Sequence, residues 1–198
     1  MVKKTVTKKS GGARENKKES VKITELDQYL FGQGTHYDIY KKLGAHLTKR
    51  NGKDGVYFAV WAPNAKAVYL TGNFNGWSET SHPMKRLDPL GIYELFVPGI
   101  KKGEVYKYLI VAKNGDKNYK SDPFGNYCER RPANASIVTD ITKFRWSDQE
   151  WMKKRESTDP NKSPMAIYEV HPGSWKKHPA TEEDPSGFYN YRELAHAL

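Results

Sequence analysis

From Ala45 onward the hydrophobic positions recur with a period of two. In Gly55–Ala62, Val56, Phe58 and Val60 fall on one side and Tyr57, Ala59 and Trp61 on the other. That alternation predicts a strand with one face in a core. Ala45–Lys49 precedes it across Arg50-Asn51-Gly52-Lys53-Asp54, where Asn-Gly is a strong hairpin signal. Further short strands are predicted at Ala67–Thr71, Gly91–Val97, Glu104–Ala112, Tyr119–Ser121 and Ala135–Thr139, separated by Pro98-Gly99, Lys102-Gly103 and Asn114-Gly115-Asp116. About seven short strands punctuated by turns predict a mainly β, immunoglobulin-like (early-set) sandwich over residues 45–142.

The flanks have a different texture. Residues 1–20 are rich in Lys, Ser and Gly and should stay disordered. In the lead-in, 21–44, Leu26, Leu30 and Phe31 have helical spacing over Ile23–Phe31, and Asp38–Leu43 reads as a short helix with Gly44 as its C-cap. Beyond the sandwich, Ser147 and Glu150 form a capping-box pattern for a charged helix to about Glu156, within a helix-and-linker segment, 143–164. Met165–Val170 reads as a compact apolar strand ended by His171–Trp175, and Asn190 with Glu193 opens a helix through Leu194 and Leu198. A lone strand–loop–helix cannot bury both its faces, so 165–198 is expected to be the first, incomplete βα unit of a further domain.

Composition narrows the function. The chain has 198 residues, 37% of them hydrophobic, enough for one core. No apolar run approaches the roughly 20 residues that cross a membrane. A single cysteine, Cys128, excludes an intrachain disulfide, and with no apolar leader near Met1 the expected compartment is cytoplasmic. The net charge of +10 is concentrated: residues 1–22 carry eight Lys/Arg against two Glu, leaving 25 basic and 21 acidic groups in the remainder. The excess is therefore read as a solvated basic tail, and nucleic acid is not the expected partner. The histidines at 36, 46, 82, 171, 178 and 196 form no pair with metal-ligand spacing, so no metal is expected, and no cofactor motif is present.

Candidate chemistry centres on Val68–Trp77, where an alternating strand runs into Gly72-Asn73-Phe74-Asn75-Gly76 and then presents Trp77. Strand, turn and aromatic together resemble the sugar-binding edge of a starch- or glycogen-binding module. An exposed indole could lie against the apolar face of a glucose ring; the alternative is a ring folded back onto the sandwich. Lys107, between Tyr106 and Tyr108, faces opposite them and could bond a hydroxyl or simply be solvated. Asn73 and Asn75 could hold the turn through side chain–backbone bonds, with Asn75 also a candidate contact to sugar. Trp61 reads as packing, Asp122 as a turn residue before Pro123, and Glu169 and His171 as structural.

The ordered runs Tyr29–Tyr37 (YLFGQGTHY), Leu43–His46, Phe58–Ala65 (FAVWAPNA), Gly72–Trp77 (GNFNGW), Lys120–Pro123 and Ile167–His171 carry a resemblance over residues 29–198. The chain resembles the N-terminal part of bacterial 1,4-α-glucan (glycogen) branching enzymes. The resemblance implies a family 48 carbohydrate-binding module followed by a (β/α)8 barrel of glycoside hydrolase family 13, of which 165–198 would be the first strand and helix. It implies α-glucan as partner and a binding site of Trp77, Tyr119, Lys107, Asn75 and Asn134. Tyr119 stands where better-known modules carry a second aromatic, and Asn134 is what Pro132-Ala133-Asn134-Ala135 leaves for the last wall. The family's catalytic carboxylates lie on later barrel strands and do not map here. A retaining transfer needs two of them about 5–5.5 Å apart, in a barrel of on the order of 250 residues. The chain is therefore expected to be inactive alone, and to await its missing barrel. The alternative is a stand-alone, non-catalytic glycogen-binding or scaffold protein.

Overall fold

The computed structural model describes residues 21–198 except Asp88 and divides them into two units, ending and beginning at Phe144 and Arg145. The expected disorder of 1–20 lies outside the described residues.

The first unit is an immunoglobulin-like sandwich. Helix α1 (Glu25–Gly32) leads in, followed by β1 (Gly44–Arg50), β2 (Lys53–Trp61), β3 (Ala67–Gly72), β4 (Lys85–Leu87), β5 (Ile92–Pro98), β6 (Val105–Val111), β7 (Lys117–Lys120) and β8 (Ser136–Ile137). One antiparallel sheet has the order β1-β2-β5-β4. The other has the order β3-β6-β7, and β8 also pairs with β6. The β1–β2 hairpin closes at Arg50↔Lys53, and Asn51 and Gly52 both have the positive φ (50° and 76°) that this two-residue turn demands.

Between the sheets, Val56, Phe58 and Val60 of β2 meet Val68 and Leu70 of β3, Tyr93 of β5 and Tyr106 and Tyr108 of β6. The alternation in β2 leads one to expect a single buried face; the structure buries both. Tyr57 and Ala59 face a second cluster with Ile23, Leu43 and Ile92, against which Phe31 and Ile39 of the lead-in pack. The Tyr57 hydroxyl fastens this layer, donating to Glu94 Oε2 at 2.6 Å and accepting from the Ile23 amide at 3.1 Å. A lead-in of apolar residues is what makes the second face dry.

Several boundaries differ from expectation for physical reasons. α1 begins two residues later than its apolar spacing suggests, because Thr24 and Asp27 form a capping box there. β4 is short and half-exposed, too weak a pattern to stand out. Ala135–Thr139 contributes only the two paired residues of β8.

The second unit contains α2 (Gln149–Ser157), α3 (Pro172–Trp175) and α4 (Tyr191–Ala197). α4 has the expected Asn190–Glu193 capping box. α2 does not have the expected one: its N-cap is Asp148, with no side-chain cap bond. Met165–Val170 forms no strand among the described residues, and Met165, Ile167 and Tyr168 are exposed. A strand exists only through a ladder with a neighbour, and none is present there.

Asp27 ties the lead-in together electrostatically. It accepts from Thr24 N and Oγ1 at 2.8 and 2.7 Å, meets His36 Nε2 at 2.8 Å and lies 3.6 Å from Lys42 Nζ. Burial pushes its carboxyl up, but the bonds from Thr24 and His36 outweigh that and bring it down from 3.8 to about 2. The unfolded chain therefore takes up this proton first as pH falls, so the stabilisation is complete above about 4 and lost toward about 2. Thermal melts should show the midpoint falling across that interval, with a smaller fall in Asp27→Asn; equal falls would contradict the assignment.

Candidate carbohydrate-binding site

The site is built where β3 ends. At Gly72 a Cβ would lie 2.2 Å from the Val105 carbonyl oxygen of β6 and 3.1 Å from Tyr106 Cα, so only glycine lets the chain leave the sheet this close to its neighbour. Asn73–Asn75 then make a single 3-10 turn. Asn75 knots it: Oδ1 accepts the Gly72 amide at 3.0 Å, Nδ2 donates to Leu70 O at 3.1 Å, and Nδ2 lies 3.0 Å from His82 Nδ1 on the returning limb. The half-buried Asn75 is thus fully engaged in holding the loop.

Gly76 and Trp77 both sit in the left-handed region, at φ 60° and 59°. For tryptophan that conformation is strained by about 1–2 kcal/mol. The Trp77 amide bonding Gly72 O at 2.9 Å and its indole Nε1 donating to Asn73 Oδ1 at 3.0 Å hold it there. The ring stays 37% exposed rather than folding into the core.

The strand register brings Lys107 and Tyr119 to one sheet face. Tyr106, Tyr108 and Ile110 of β6 point into the core between the sheets, so Lys107 and Leu109 point to the other side of their sheet, where Leu109 is itself fully buried. Leu109 is opposite Tyr119 of β7, and Thr71 is opposite Lys107, which places Tyr119 and Lys107 on that outer face. Tyr119 is 45% exposed. Lys107 Nζ donates to Asn134 Oδ1 at 2.5 Å, while Ser121 Oγ donates to Asn134 O. Lys107 and Asn134 therefore form one polar wall.

Two features escaped the sequence reading. Asp122 makes a turn, accepting Gly125 N through its carbonyl at 3.1 Å, but its buried carboxyl does more. Oδ2 accepts the hydroxyls of Tyr106 and Tyr108 at 2.6 and 3.0 Å, Oδ1 accepts Phe124 N at 2.8 Å, and Ser136 Oγ accepts the Asp122 amide at 2.8 Å. Burial pushes this carboxyl up and both tyrosines up as well. The hub locks β6 to the segment that presents Ser121 and Asn134. Two inward tyrosines were its signal, since a buried phenol requires a partner. The second feature is Glu79, which accepts Tyr119 OH and bonds Lys117 Nζ, each at 2.5 Å. Those bonds hold the carboxyl below its ordinary value, Lys117 contributing most, and push the Tyr119 phenol up.

Trp61 lies elsewhere, at the end of β2: its ring meets Phe31 edge-on at 5.7 Å and its Nε1 donates to Leu90 O, leaving it 52% exposed. A groove of about 580 Å³ runs beside β1, past Tyr40, His46, Phe124 and Ile141, and includes none of the five candidate residues. Stacking on a sugar needs an open flat ring with polar groups at its rim, not a cavity, so the Trp77 loop and the face carrying Tyr119 are the candidate site.

The chain has relatives among known proteins. Residues 42–125 match the family described as Carbohydrate-binding module 48 (Isoamylase N-terminal domain). Over 177 residues the chain is 55% identical to the 1,4-alpha-glucan branching enzyme GlgB of Butyrivibrio fibrisolvens, covering 89% of this chain and 27% of that protein. It is 48% identical over 189 residues to the corresponding enzyme of Synechococcus sp. (strain JA-3-3Ab), covering 89% and 24%. The matched region is the N-terminal part of these enzymes, and the chain spans about a quarter of their length. Among solved structures, Klebsiella pneumoniae pullulanase complexed with maltotriose is 28% identical with a TM-score of 0.41, covering 50% of this chain and 9% of that one.

Removing the Asp122 carboxyl should strand two buried hydroxyls, each at a cost of about 1–3 kcal/mol. Urea unfolding of Asp122→Ala should show that loss; an unchanged midpoint would mean that the hub does not hold β6.

Proposed function

We propose that this chain is the α-glucan-binding N-terminal portion of a 1,4-α-glucan branching enzyme, an enzyme of glycogen biosynthesis that moves α-1,4 chains to α-1,6 branch points. In this reading the sandwich holds the polysaccharide while a transferase barrel, toward which residues 165–198 lead, performs the chemistry. Trp77 and Tyr119 are the stacking rings, and Lys107 with Asn134 bonds hydroxyls at the rim. Asn75 acts indirectly, by fixing the turn. The supporting observation is an exposed Tyr119 and a Lys–Asn pair on one sheet face, tied through Glu79 to the loop that follows the exposed Trp77, in a chain 55% identical to a branching enzyme. We further propose a cytoplasmic location, in keeping with the single cysteine. The stand-alone scaffold reading has no comparable support.

Binding should be weak, because a shallow site orders its ligand for only a few ring contacts. In a native gel containing glycogen the 198-residue chain should be retarded. An aromatic stack is worth about 0.5–1.5 kcal/mol beyond area burial, so Trp77→Ala should weaken affinity about two- to tenfold. Equal retardation of the two proteins would remove Trp77 from the site.

A further inference from the structure

The loop after Trp77 is rooted on β3 by Leu70 N donating to His82 O and Met84 N donating to Val68 O, both at 2.9 Å. Its interior bonds are local: Ser78 Oγ accepts from Ser81 N at 3.2 Å, and Ser78 N donates to Asn75 O at 3.2 Å. Among the described residues, the hydrogen bonds that carry this loop across the sheet to β7 are those of Glu79. They span 40 positions of sequence to Tyr119 and 38 to Lys117. Since β6 lies between β3 and β7, the carboxylate bridges the full width of the sheet.

Resting on the glucan-binding reading above, we propose that Glu79 is a positioning residue that fixes the Tyr119 ring relative to the Trp77 loop. Its two oxygens divide the work. Oε1 takes the Tyr119 hydroxyl hydrogen and Oε2 takes Lys117 Nζ, so the phenol is oriented at its tip while its ring remains open to solvent. Two consequences follow for recognition. The phenol's one donor hydrogen is already committed, so Tyr119 meets glucan as a stacking ring rather than as a hydroxyl donor. The ring is also ordered before ligand arrives, which removes part of the immobilisation cost of binding.

The test measures affinity for maltoheptaose, by calorimetric titration of the full 198-residue chain, in Glu79→Ala, Glu79→Gln, Tyr119→Phe and the Glu79→Ala/Tyr119→Phe double variant. Releasing one ordered side chain should weaken binding about two- to tenfold in Glu79→Ala and equally in Tyr119→Phe. The double variant should be no weaker than either single one, because both remove the same restraint. Glu79→Gln, which keeps an acceptor for the phenol, should recover most of the loss, a pattern that a general loss of stability would not produce. Wild-type affinity in Glu79→Ala, losses that multiply in the double variant, or a Gln variant as weak as Ala would each overturn the proposal. Failure of the unaltered chain to bind would instead withdraw the glucan-binding reading, and this proposal with it.

Discussion

The chain leaves β3 through a space that no side chain can share. A Cβ at Gly72 would overlap the Val105 carbonyl oxygen of the neighbouring strand, and that closeness starts the 3-10 turn directly against the sheet. A wider exit would swing the following residues away from the sheet face. As it is, Asn75 draws the turn back onto Leu70 and His82, and Trp77 is held in a left-handed conformation that tryptophan would not adopt unaided. Backbone geometry at one glycine thus decides where the indole points.

The rest of the face is fixed from beneath. Asp122, whose buried carboxyl accepts from two tyrosine hydroxyls and the Phe124 amide and whose own amide donates to Ser136 Oγ, joins the middle strand of the second sheet to the stretch carrying Ser121 and Asn134. A buried carboxyl is costly unless its partners are in place, so this cluster favours one arrangement of those segments over others. Lys107 leaves the same strand on the opposite side and reaches Asn134. Core and rim are therefore set by alternate residues of a single strand.

What the sequence revealed was local. The Asn51-Gly52 hairpin, the opposed sides of β6, and the Asn190–Glu193 cap all depend on residues a few positions apart, and each is present in the structure. The tight turn before Trp77 was legible for the same reason, whereas the exposure of its indole was not. Long-range closure was not. Nothing near Tyr57 announces that the lead-in will cover it, and nothing near Glu79 points to a tyrosine 40 positions away. Asp122 read as a turn residue because its neighbours in sequence are Ser121 and Pro123, whereas its partners are two strand tyrosines. Met165–Val170 had the composition of a strand but pairs with no other strand among the described residues.

A titration of the isotope-labelled chain with maltoheptaose, followed by amide and indole NMR shifts, tests the central claim most directly. The indole N–H of Trp77 and the amides around Tyr119, Lys107 and Asn134 should move together along one saturating curve, while the Trp61 indole stays in place. Shifts centred on Trp61, or on the groove lined by Tyr40, His46 and Phe124, with Trp77 unmoved, would contradict it.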